Sequence, residues 1–283
     1  MFFIHVHFLF ESVENYNFLI LIRNTLDNGK VLLRTLSAGD ASKSFQPKGM
    51  TWEERAKTTQ LRAVIDPSDY SERKNKFIDY LHKSILNKYL TFSGTEIVLD
   101  FGCGTGRFTE WLANRVSCVV GIDLTREMLV KAKSHCIFGN VDFLLCDGSN
   151  IPFQDESFDL ILSVWVLQHF PNEALEKTAK QLVNIVRENG KICLIEQVSD
   201  RHSDYYIPRL PDAYINSFDN CGSVILRPIR RSKSTMQRLA KVMPKFLSSF
   251  LAKIEIRLSK KAEIPKDGYL DHLFIFRRSD GAS

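Results

Sequence analysis

Three glycines at alternate positions are the first feature of this chain that could do chemistry. Gly102, Gly104 and Gly106 directly follow an apolar stretch at 97–101. Glycine lets the backbone turn sharply and approach a ligand closely, and the N-terminus of a following helix attracts an anionic group. The dinucleotide fingerprint does not fit, because Arg107 takes the place of its last glycine, and no Gly-Lys-Ser/Thr of a phosphate-binding loop follows. The glycines therefore indicate a ligand-binding turn, with a purely structural turn as the alternative.

Two carboxylates end the next two apolar stretches. Asp123 follows Asp100 by 23 residues and Asp147 follows Asp123 by 24, which is about one strand–helix unit each. At these positions one carboxylate can accept hydrogen bonds from a ribose diol, and the other can accept one from the amine of an adenine. Each acid alone could equally be a helix cap or a surface charge. Because the acids follow the glycine turn in order, we favour a nucleoside site.

An alternation of apolar runs and helical periods, from residue 73 onward, must position these residues. The apolar runs predict strands at 97–99, 118–122, 141–145, 158–164, 191–195, 223–229 and 269–277. The helical periods predict helices at 73–90, 108–116, 126–133 and 172–186, and a helical segment at 234–262 that is broken at Pro244. Thr125 is predicted to cap the third helix, and Asn189-Gly190 to end the fourth. Such an alternation predicts a parallel sheet that binds ligands at the carboxyl ends of its strands.

Four stretches within residues 97–198 carry a resemblance to a known family. They are IVLDFGCGTGRFTEWLA, VVGIDLTREMLVKAK, VDFLLCDGSNIPFQDESFDLILSVWVLQHF and LVNIVRENGKICLIEQV. They resemble the core of the class I S-adenosylmethionine-dependent methyltransferases, in the broad group that includes the ubiquinone/menaquinone-type enzymes. The resemblance implies an α/β fold with a Rossmann-like, doubly wound sheet of seven strands, mostly parallel with an antiparallel seventh strand. It also implies S-adenosyl-L-methionine as cofactor and methyl transfer as the reaction.

The resemblance assigns the cofactor to residues at four strand ends. Gly102 and Gly104 would lie against its methionine part, with Asp100 orienting the loop. Asp123 would hold the ribose, and Asp147 would bind the adenine amine. The implied cofactor residues are Asp100, Gly102, Cys103, Gly104, Thr105, Gly106, Asp123, Leu124, Met128, Asp147, Gly148, Ser149, Ser163 and Val164.

The implied reaction is an in-line displacement, in which the protein positions donor and acceptor and excludes water. Oxygen and nitrogen acceptors often need a base, and His169, shortly after the fourth strand, is the candidate. Packing within a loop is the alternative for this histidine. Arg107 could form an ion pair over the site, but we expect it on the helix surface.

Polar residues near the fifth strand could contact the acceptor, and others before the first helix could form a lid. The candidates after the fifth strand are Glu196, His202, Tyr205 and Tyr206. A polar surface loop is the alternative for this set. The candidates for a lid over the cofactor are Asp66, Tyr70 and Lys74.

Composition limits the class of protein. The 283 residues are 44% hydrophobic and 25% charged, which is typical of a soluble globular protein and excludes a disordered or collagen-like chain. Six cysteines without a CxxC pair predict reduced thiols and a cytoplasmic location. The seven histidines show no ligand spacing, so we expect no metal site. No apolar run approaches the roughly 20 residues that span a bilayer.

The basic residues are concentrated towards the C-terminus. Residues 1–226 carry a net charge of −4 and residues 227–283 a net charge of +9. Within 227–261 there are eleven lysines and arginines and a single acid, Glu255. We expect a solvated helix face whose apolar side covers the sheet, with an anionic partner or a membrane surface as the alternative. No recognised nucleic-acid module accompanies this charge.

These observations predict how the chain is organised. We expect an accessory segment of unknown role at 1–60 and a methyltransferase domain at 61–283. Within this domain the cofactor core would occupy 94–198, and a substrate-side region at 199–283 would contain a basic helical insertion at 230–262.

The expected function is methyl transfer to a small-molecule, glycan or lipid-linked acceptor. The alternatives are a methyltransferase for protein or RNA and a non-catalytic subunit that binds S-adenosylmethionine. After the fourth strand the sequence reads Ser-Val-Trp-Val, without the NPPY-type motif that is usual where nucleobase amines are methylated.

Overall fold

The computed structural model describes residues 50–266 and 268–279. Most of the predicted accessory segment, residues 1–49, lies outside the described residues. Its last residues, from 50 onward, are described and belong to the part of the structure that covers the site.

Seven strands form a single sheet. They are β1 (Ile97–Phe101), β2 (Cys118–Asp123), β3 (Val141–Leu145), β4 (Phe158–Val164), β5 (Val186–Val198), β6 (Cys221–Arg231) and β7 (Leu270–Arg278). Their order across the sheet is β3-β2-β1-β4-β5-β7-β6. Strands β1 to β5 run parallel, and β7 lies antiparallel between β5 and β6. The predicted α/β fold, with a mostly parallel, doubly wound sheet and an antiparallel β7, is confirmed.

Nine helices in the described residues connect and cover these strands. They are α1 (Trp52–Ala56), α2 (Gln60–Val64), α3 (Arg73–Tyr89), α4 (Arg107–Ala113), α5 (Arg126–His135), α6 (Asn172–Ile185), α7 (Pro211–Ser217), α8 (Thr235–Val242) and α9 (Ser248–Leu258). Short 3₁₀ turns lie at Leu167–His169, Lys245–Leu247 and Ser259–Lys261. The predicted break at Pro244 falls between α8 and the second of these turns. The sequence did not predict α1, α2 and α7, because five to seven residues are too few to show a helical period.

Of two local predictions at helix ends, the one for Asn189-Gly190 is wrong, and the one for Thr125 is confirmed in position but not in its hydrogen bond. The Asn189-Gly190 pair does not end α6, which stops at Ile185, but lies inside β5. Asn189 adopts a φ of 61°, so it bends the strand where its pairing with β4 is irregular. Thr125 takes the N-cap position of α5, but its side chain makes no capping hydrogen bond. Instead its backbone N–H donates to Asp123, which pulls this residue towards the strand end.

The sheet separates two apolar cores, which explains why its strands are apolar without interruption. Successive residues of a strand point to opposite faces, so Val98 joins one core and Leu99 the other. Helices α3, α4 and α9 pack on the face of Val98, and α6 packs on the face of Leu99. Because both faces are covered, the carboxyl ends of the parallel strands form the open edge where a ligand can reach the backbone.

Candidate functional site

The glycine turn after β1 has a backbone that only glycine adopts readily. Gly102, Gly104 and Gly106 have φ values of 70°, 53° and 79°. A Cβ atom added to Gly102 would lie 2.4 Å from Cγ2 of Val166, and one added to Gly104 would lie 2.6 Å from Cγ1 of Val64. These approaches are too close for any side chain, so the turn is a bare-backbone cradle built into its surroundings.

The carboxylate of Asp123, at the end of β2, holds this turn in place. Its Oδ2 accepts a hydrogen bond from the Gly104 N–H at 2.8 Å, and its Oδ1 accepts one from the Thr125 N–H at 2.9 Å. Burial raises the pKa of Asp123, and these backbone hydrogen bonds oppose the shift. Each carboxylate oxygen has two lone pairs, so both can still accept a ligand hydroxyl.

The second acid, Asp147, is oriented by its neighbour two residues on. Its Oδ1 accepts hydrogen bonds from the Ser149 N–H at 2.9 Å and from the Ser149 hydroxyl at 2.8 Å. Asp147 and Gly148 line the cavity described below, whereas Ser149 does not. Ser149 therefore orients Asp147 and does not itself line the cavity.

Asp100 lies beneath the glycine turn and away from the cavity. It is buried, and its Oδ2 accepts a hydrogen bond from the Thr109 hydroxyl of α4 at 2.5 Å. Burial raises the pKa of Asp100 to about 6, against the Thr109 hydrogen bond and the charge of Arg107. Asp100 therefore joins the end of β1 to α4 and shapes the turn from below.

A cavity of about 590 Å³ runs along this edge of the sheet. That volume lies within the range of small-molecule sites, roughly 300–1,000 Å³. The predicted site residues that line it are Gly102, Gly104, Asp123, Leu124, Met128, Asp147, Gly148, Val164, His169, Tyr205 and Tyr206. The predicted residues that do not line it are Asp100, Cys103, Thr105, Gly106, Ser149, Ser163, Glu196 and His202. Four residues of the second group, Asp100, Thr105, Ser149 and Glu196, hydrogen-bond to residues around the cavity.

Residues 50–74, which we name the roof segment, form the wall of the cavity opposite the sheet. Trp52, Arg55, Val64 and Ile65 line it from this side. Arg55 is buried, and its guanidinium donates hydrogen bonds to the carbonyl oxygens of Ala63 at 2.8 Å and Ile65 at 3.4 Å. This contact joins α1 to the end of α2.

The roof segment is also tied to the glycine turn. The Thr105 hydroxyl donates to the Gln60 carbonyl oxygen at 3.0 Å, and the Gln60 amide donates to the Thr105 carbonyl oxygen at 3.4 Å. The role of Thr105 is therefore to hold the roof. The sequence did not predict helices α1 and α2 of this segment. The available signal was the Thr51–Glu54 capping box, a local pattern that marks a helix start.

The three lid candidates divide between the cavity and the surface. Asp66 and Lys74 line the cavity and form an ion pair with each other. Tyr70 does not line it; its ring is 82% exposed and stacks on the guanidinium of Arg62, 4.2 Å from the ring centroid.

His169 lies in the 3₁₀ turn that follows β4 and faces the roof segment. Its ring contacts Trp52 edge to face, with 5.1 Å between ring centroids. The Nε2 atom lies 3.4 Å from the side-chain nitrogen of Gln168. Burial, helped by the charge of Arg55, lowers the pKa of His169 to about 3. The imidazole is therefore neutral at pH 7, and its Nε2 faces the donating amide of Gln168.

Two of the predicted acceptor contacts lie elsewhere. Glu196 is fully buried, and its carboxylate accepts hydrogen bonds from the backbone N–H groups of Val166, Leu167 and Gln168 at 3.1–3.3 Å. These bonds fix the turn that carries His169, so Glu196 supports the site from behind. His202 is exposed and lies outside the cavity.

The expectation that Arg107 lies on the surface is wrong. Its side chain is buried, and its guanidinium donates to Asp79 of α3 at 3.2 Å. A second guanidinium nitrogen lies 3.5 Å from Nδ1 of His82. The sequence shows the charge of Arg107 but not the partner on α3 that allows its burial.

A buried polar cluster behind the cavity was also missed. Asp271 of β7 accepts hydrogen bonds from Arg230 at 2.6 Å and from the indole of Trp165 at 3.2 Å. Arg230 also donates to the Tyr269 hydroxyl at 3.0 Å. Burial alone would raise the pKa of Asp271, but Arg230 and His82 outweigh it and the net shift is downward. The signal in the sequence was an acid within an otherwise apolar strand.

This cluster shapes the cavity wall. Trp165 and Tyr269 both line the cavity. Trp165 has a φ of 60°, a conformation that is rare for an aromatic residue and that clusters at functional sites. The anchored indole and the phenol therefore present rigid surfaces to whatever occupies the cavity.

The described residues contain neither a cluster of metal ligands nor a membrane-spanning helix. Among residues 50–266 and 268–279, no group of three histidine, cysteine, aspartate or glutamate side chains could hold a metal ion. Within the same residues, no helix has the length and apolar character needed to cross a membrane.

The known proteins that this chain resembles are methyltransferases. Residues 98–190 match the family model described as "Methyltransferase domain". The chain is 32% identical to phosphoethanolamine N-methyltransferase 3 of Arabidopsis thaliana over 133 residues, which cover 44% of this chain and 27% of the relative. It is 34% identical to demethylmenaquinone methyltransferase of Tropheryma whipplei over 110 residues, covering 38% of this chain and 45% of the relative. The match thus spans less than half of either relative.

The fold is shared with solved structures. One is phosphoethanolamine N-methyltransferase 1 of Haemonchus contortus, in complex with phosphoethanolamine and S-adenosylhomocysteine. It is 16% identical, with a TM-score of 0.55, and the alignment covers 82% of this chain and 48% of that chain. Such a low identity shows the fold alone. Residues 98–190 therefore match a methyltransferase domain, within a fold that this chain shares with a solved methyltransferase.

Proposed function

We propose that this chain transfers the methyl group of S-adenosylmethionine to a small-molecule acceptor held in the same cavity. The observation that carries the proposal is the continuity of that cavity. It extends from the glycine turn, Asp123 and Asp147 to His169 and a group of tyrosines under the roof segment. The relatives named for phosphoethanolamine and demethylmenaquinone, both small acceptors, support this choice.

One half of the cavity suits the cofactor. The glycine turn offers bare backbone to the amino-acid part, and Asp123 offers carboxylate oxygens to a ribose diol. Leu124 and Met128 provide apolar contact for a base, with Asp147 as acceptor for its amine. When bound, S-adenosylmethionine supplies a methyl group that is already activated by the positive charge of its sulfonium.

The other half of the cavity suits an acceptor with polar groups. Tyr205, Tyr206 and Tyr269 supply hydroxyls and flat apolar rings, and Gln168 and Gln197 supply side-chain amides. Tyrosine combines an apolar surface with a hydrogen-bonding tip, which suits recognition of small polar or ring-bearing molecules. These residues would hold the acceptor in line with the methyl group and exclude water, which is the main task of the protein in this reaction.

His169 is the proposed catalytic residue. Its Nε2 would exchange the long contact with the Gln168 amide for a hydrogen bond from an acceptor hydroxyl or amine, and so orient the attacking atom. Because its pKa is about 3, His169 does not retain a proton at pH 7. The proton that the acceptor loses would therefore pass on to solvent. We therefore propose that His169 orients the acceptor more than it holds its proton.

The roof segment favours a small acceptor over a macromolecule, because it covers the cavity with Trp52, Arg55 and the Asp66–Lys74 pair. A glycan or a lipid-linked acceptor could place only its reacting end under this cover. Protein or RNA methylation and a non-catalytic role remain the competing functions. We propose a cytoplasmic location, as the sequence predicts.

Two measurements, made one after the other, test the proposal. Calorimetry with S-adenosylmethionine and S-adenosylhomocysteine should show binding at one site per chain; the absence of any binding would refute the cofactor assignment. Methyl-labelled S-adenosylmethionine is then incubated with separated metabolite, lipid, glycan, RNA and protein fractions. We expect label in the metabolite or lipid fraction. Label only in RNA or protein would refute the small-acceptor proposal, and binding without transfer to any fraction would favour the non-catalytic function.

A further inference from the structure

Helices α8 and α9 and the 3₁₀ turn between them carry several large apolar side chains that are exposed to solvent. We name residues 235–261 the α8–α9 surface. Phe246 is 78% exposed and Phe250 is 59% exposed. The other exposed apolar side chains of this surface are Leu239, Val242 and Leu258. Contiguous exposed apolar groups of this kind mark interaction sites.

The attachment of these helices to the sheet uses different residues. Ala240, Leu251, Ala252 and Ile256 are buried in the core on the α3 face of the sheet. The sequence analysis expected an apolar side that covers the sheet, and the structure provides it with these four residues. The exposed phenylalanines are therefore not required for the packing of the helices.

The exposed charges of the α8–α9 surface are all positive. Its seven lysines and arginines are all exposed, and they are Arg238, Lys241, Lys245, Lys253, Arg257, Lys260 and Lys261. Its single acid, Glu255, is buried and accepts hydrogen bonds from the Ser259 hydroxyl at 3.0 Å and the Arg231 N–H at 3.3 Å. No acidic side chain of the segment therefore offsets the exposed cations.

Apolar and basic groups share one stripe of α9. Phe250, Lys253 and Arg257 are spaced three and four residues apart, so they project from the same face of the helix. Such a stripe can lie at the boundary of a bilayer, with the ring in the acyl region and the cations among the headgroups. Each basic residue near an anionic membrane contributes favourably to binding.

We propose that the α8–α9 surface docks this chain on an anionic lipid bilayer. Aromatic rings could also stack on single-stranded RNA. The exposed aliphatic side chains Leu239, Val242 and Leu258 have no flat face for a base but suit acyl chains equally well, so the observations favour lipid.

The proposed docking surface adjoins the cavity wall. Arg73, at the start of α3, donates hydrogen bonds to the carbonyl oxygens of Lys241 at 3.4 Å and Val242 at 3.2 Å. The next residue, Lys74, lines the cavity. A bilayer bound at α8 would therefore lie beside this part of the wall. The docking itself needs neither cofactor nor acceptor, so its test is independent of the proposed methyl transfer.

The test is sedimentation of the full chain with vesicles of phosphatidylcholine, with and without phosphatidylserine. We expect binding to the anionic vesicles, and weaker binding at high salt because exposed charges are screened. K245Q/K253Q should lower the partition coefficient by about 25-fold, at about fivefold per charge. The matched control is K177Q/K180Q, which removes two exposed cations from α6 on the opposite face of the sheet and should leave binding unchanged.

A second pair of variants tests the apolar part. F246S/F250S should lower binding at least about tenfold, since two rings no longer leave water. V130S/I137S removes two exposed apolar side chains at α5 and should have no effect. All four positions are exposed, so each variant should fold, as circular dichroism can verify.

Three outcomes would overturn the proposal. The first is an absence of binding to anionic vesicles, and the second is equal binding to vesicles with and without phosphatidylserine. The third is displacement from vesicles by single-stranded RNA at a lower charge concentration than that of the lipid, which would assign the surface to RNA.

Discussion

The Oδ2 atom of Asp123 lies 2.8 Å from the backbone nitrogen of Gly104. One carboxylate at the end of β2 thus holds the glycine turn that follows β1. The same group is proposed to bind the ribose, so shaping of the cradle and recognition of the cofactor depend on a single side chain.

Replacement of Asp123 should weaken cofactor binding. D123A is expected to weaken S-adenosylmethionine binding by about ten- to a hundredfold, because a hydrogen-bonded charged acceptor is lost. D123N keeps one acceptor oxygen and should lose less. Calorimetry measures both, with D219A, at an exposed aspartate outside the cavity, as control. Unchanged affinity in D123A would contradict the ribose assignment.

The close approach of Gly102 to Val166 predicts coupling between these positions. G102A should lower the free energy of unfolding by about 3 kcal/mol, from the clash with Val166 together with the positive φ. V166A should relieve part of that loss in the double variant, giving a coupling energy of about 1–2 kcal/mol. Denaturant unfolding of the four proteins measures the cycle. Strictly additive effects would mean that the two residues do not meet.

His169 should affect turnover more than cofactor binding. H169Q and H169A are expected to lower kcat by about ten- to a hundredfold with the affinity for S-adenosylmethionine unchanged. Because the pKa of His169 is lowered to about 3, the ratio of wild-type to variant rates should be flat from pH 5.5 to 8. A step in that ratio near pH 6.5 would show that His169 titrates as an ordinary histidine base. Full activity in H169A would remove it from the mechanism.

Stability should fall in mild acid because of His82. This ring is fully buried, and burial lowers its pKa from 6.5 to about 4 despite the hydrogen bond with Asp271. Between these values the unfolded chain binds a proton that the folded chain does not, so the free energy of unfolding decreases as the pH falls from 6.5 to 4. His82 contributes up to about 1.4 kcal/mol per pH unit to this slope, and His169 and His272, whose pKa values burial also lowers, add to it.

Urea unfolding at several pH values tests this slope. H82N should reduce the slope by the share of His82, whereas H135Q, at an exposed histidine at the end of α5, should leave it unchanged. If H82N is too unstable to measure, the chemical shift of the His82 ring followed by NMR reports its titration directly. Titration of this ring near pH 6.5 in the folded protein would contradict the prediction.

The features that the sequence predicted well depend on local pattern. The glycines at 102, 104 and 106 and the acids at 123 and 147 each follow an apolar strand, and the parallel topology then brings strand ends together. The antiparallel β7 came from the family resemblance, since no local signal distinguishes a parallel from an antiparallel strand.

The features that the sequence did not predict depend on distant partners. Arg107 is buried because Asp79, 28 residues earlier on α3, pairs with it. The carboxylate of Glu196 accepts hydrogen bonds from three backbone N–H groups of the turn at 166–168. The spacing of residues in the sequence does not indicate these hydrogen bonds. The helices of the roof segment are five residues each, and their position over the cavity is decided by contacts such as Thr105 with Gln60.

The insertion of β7 between β5 and β6 has a consequence for how the protein is made on the ribosome. Strands β5 and β6 emerge earlier but hydrogen-bond to β7 and not to each other, so the far side of the sheet can form only after β7 has been synthesised. Tyr269 and Asp271 arrive with it. A nascent chain could therefore fold strands β1 to β5 early and still lack the cavity wall that contains Tyr269, so the cavity is completed only after β7 has been synthesised.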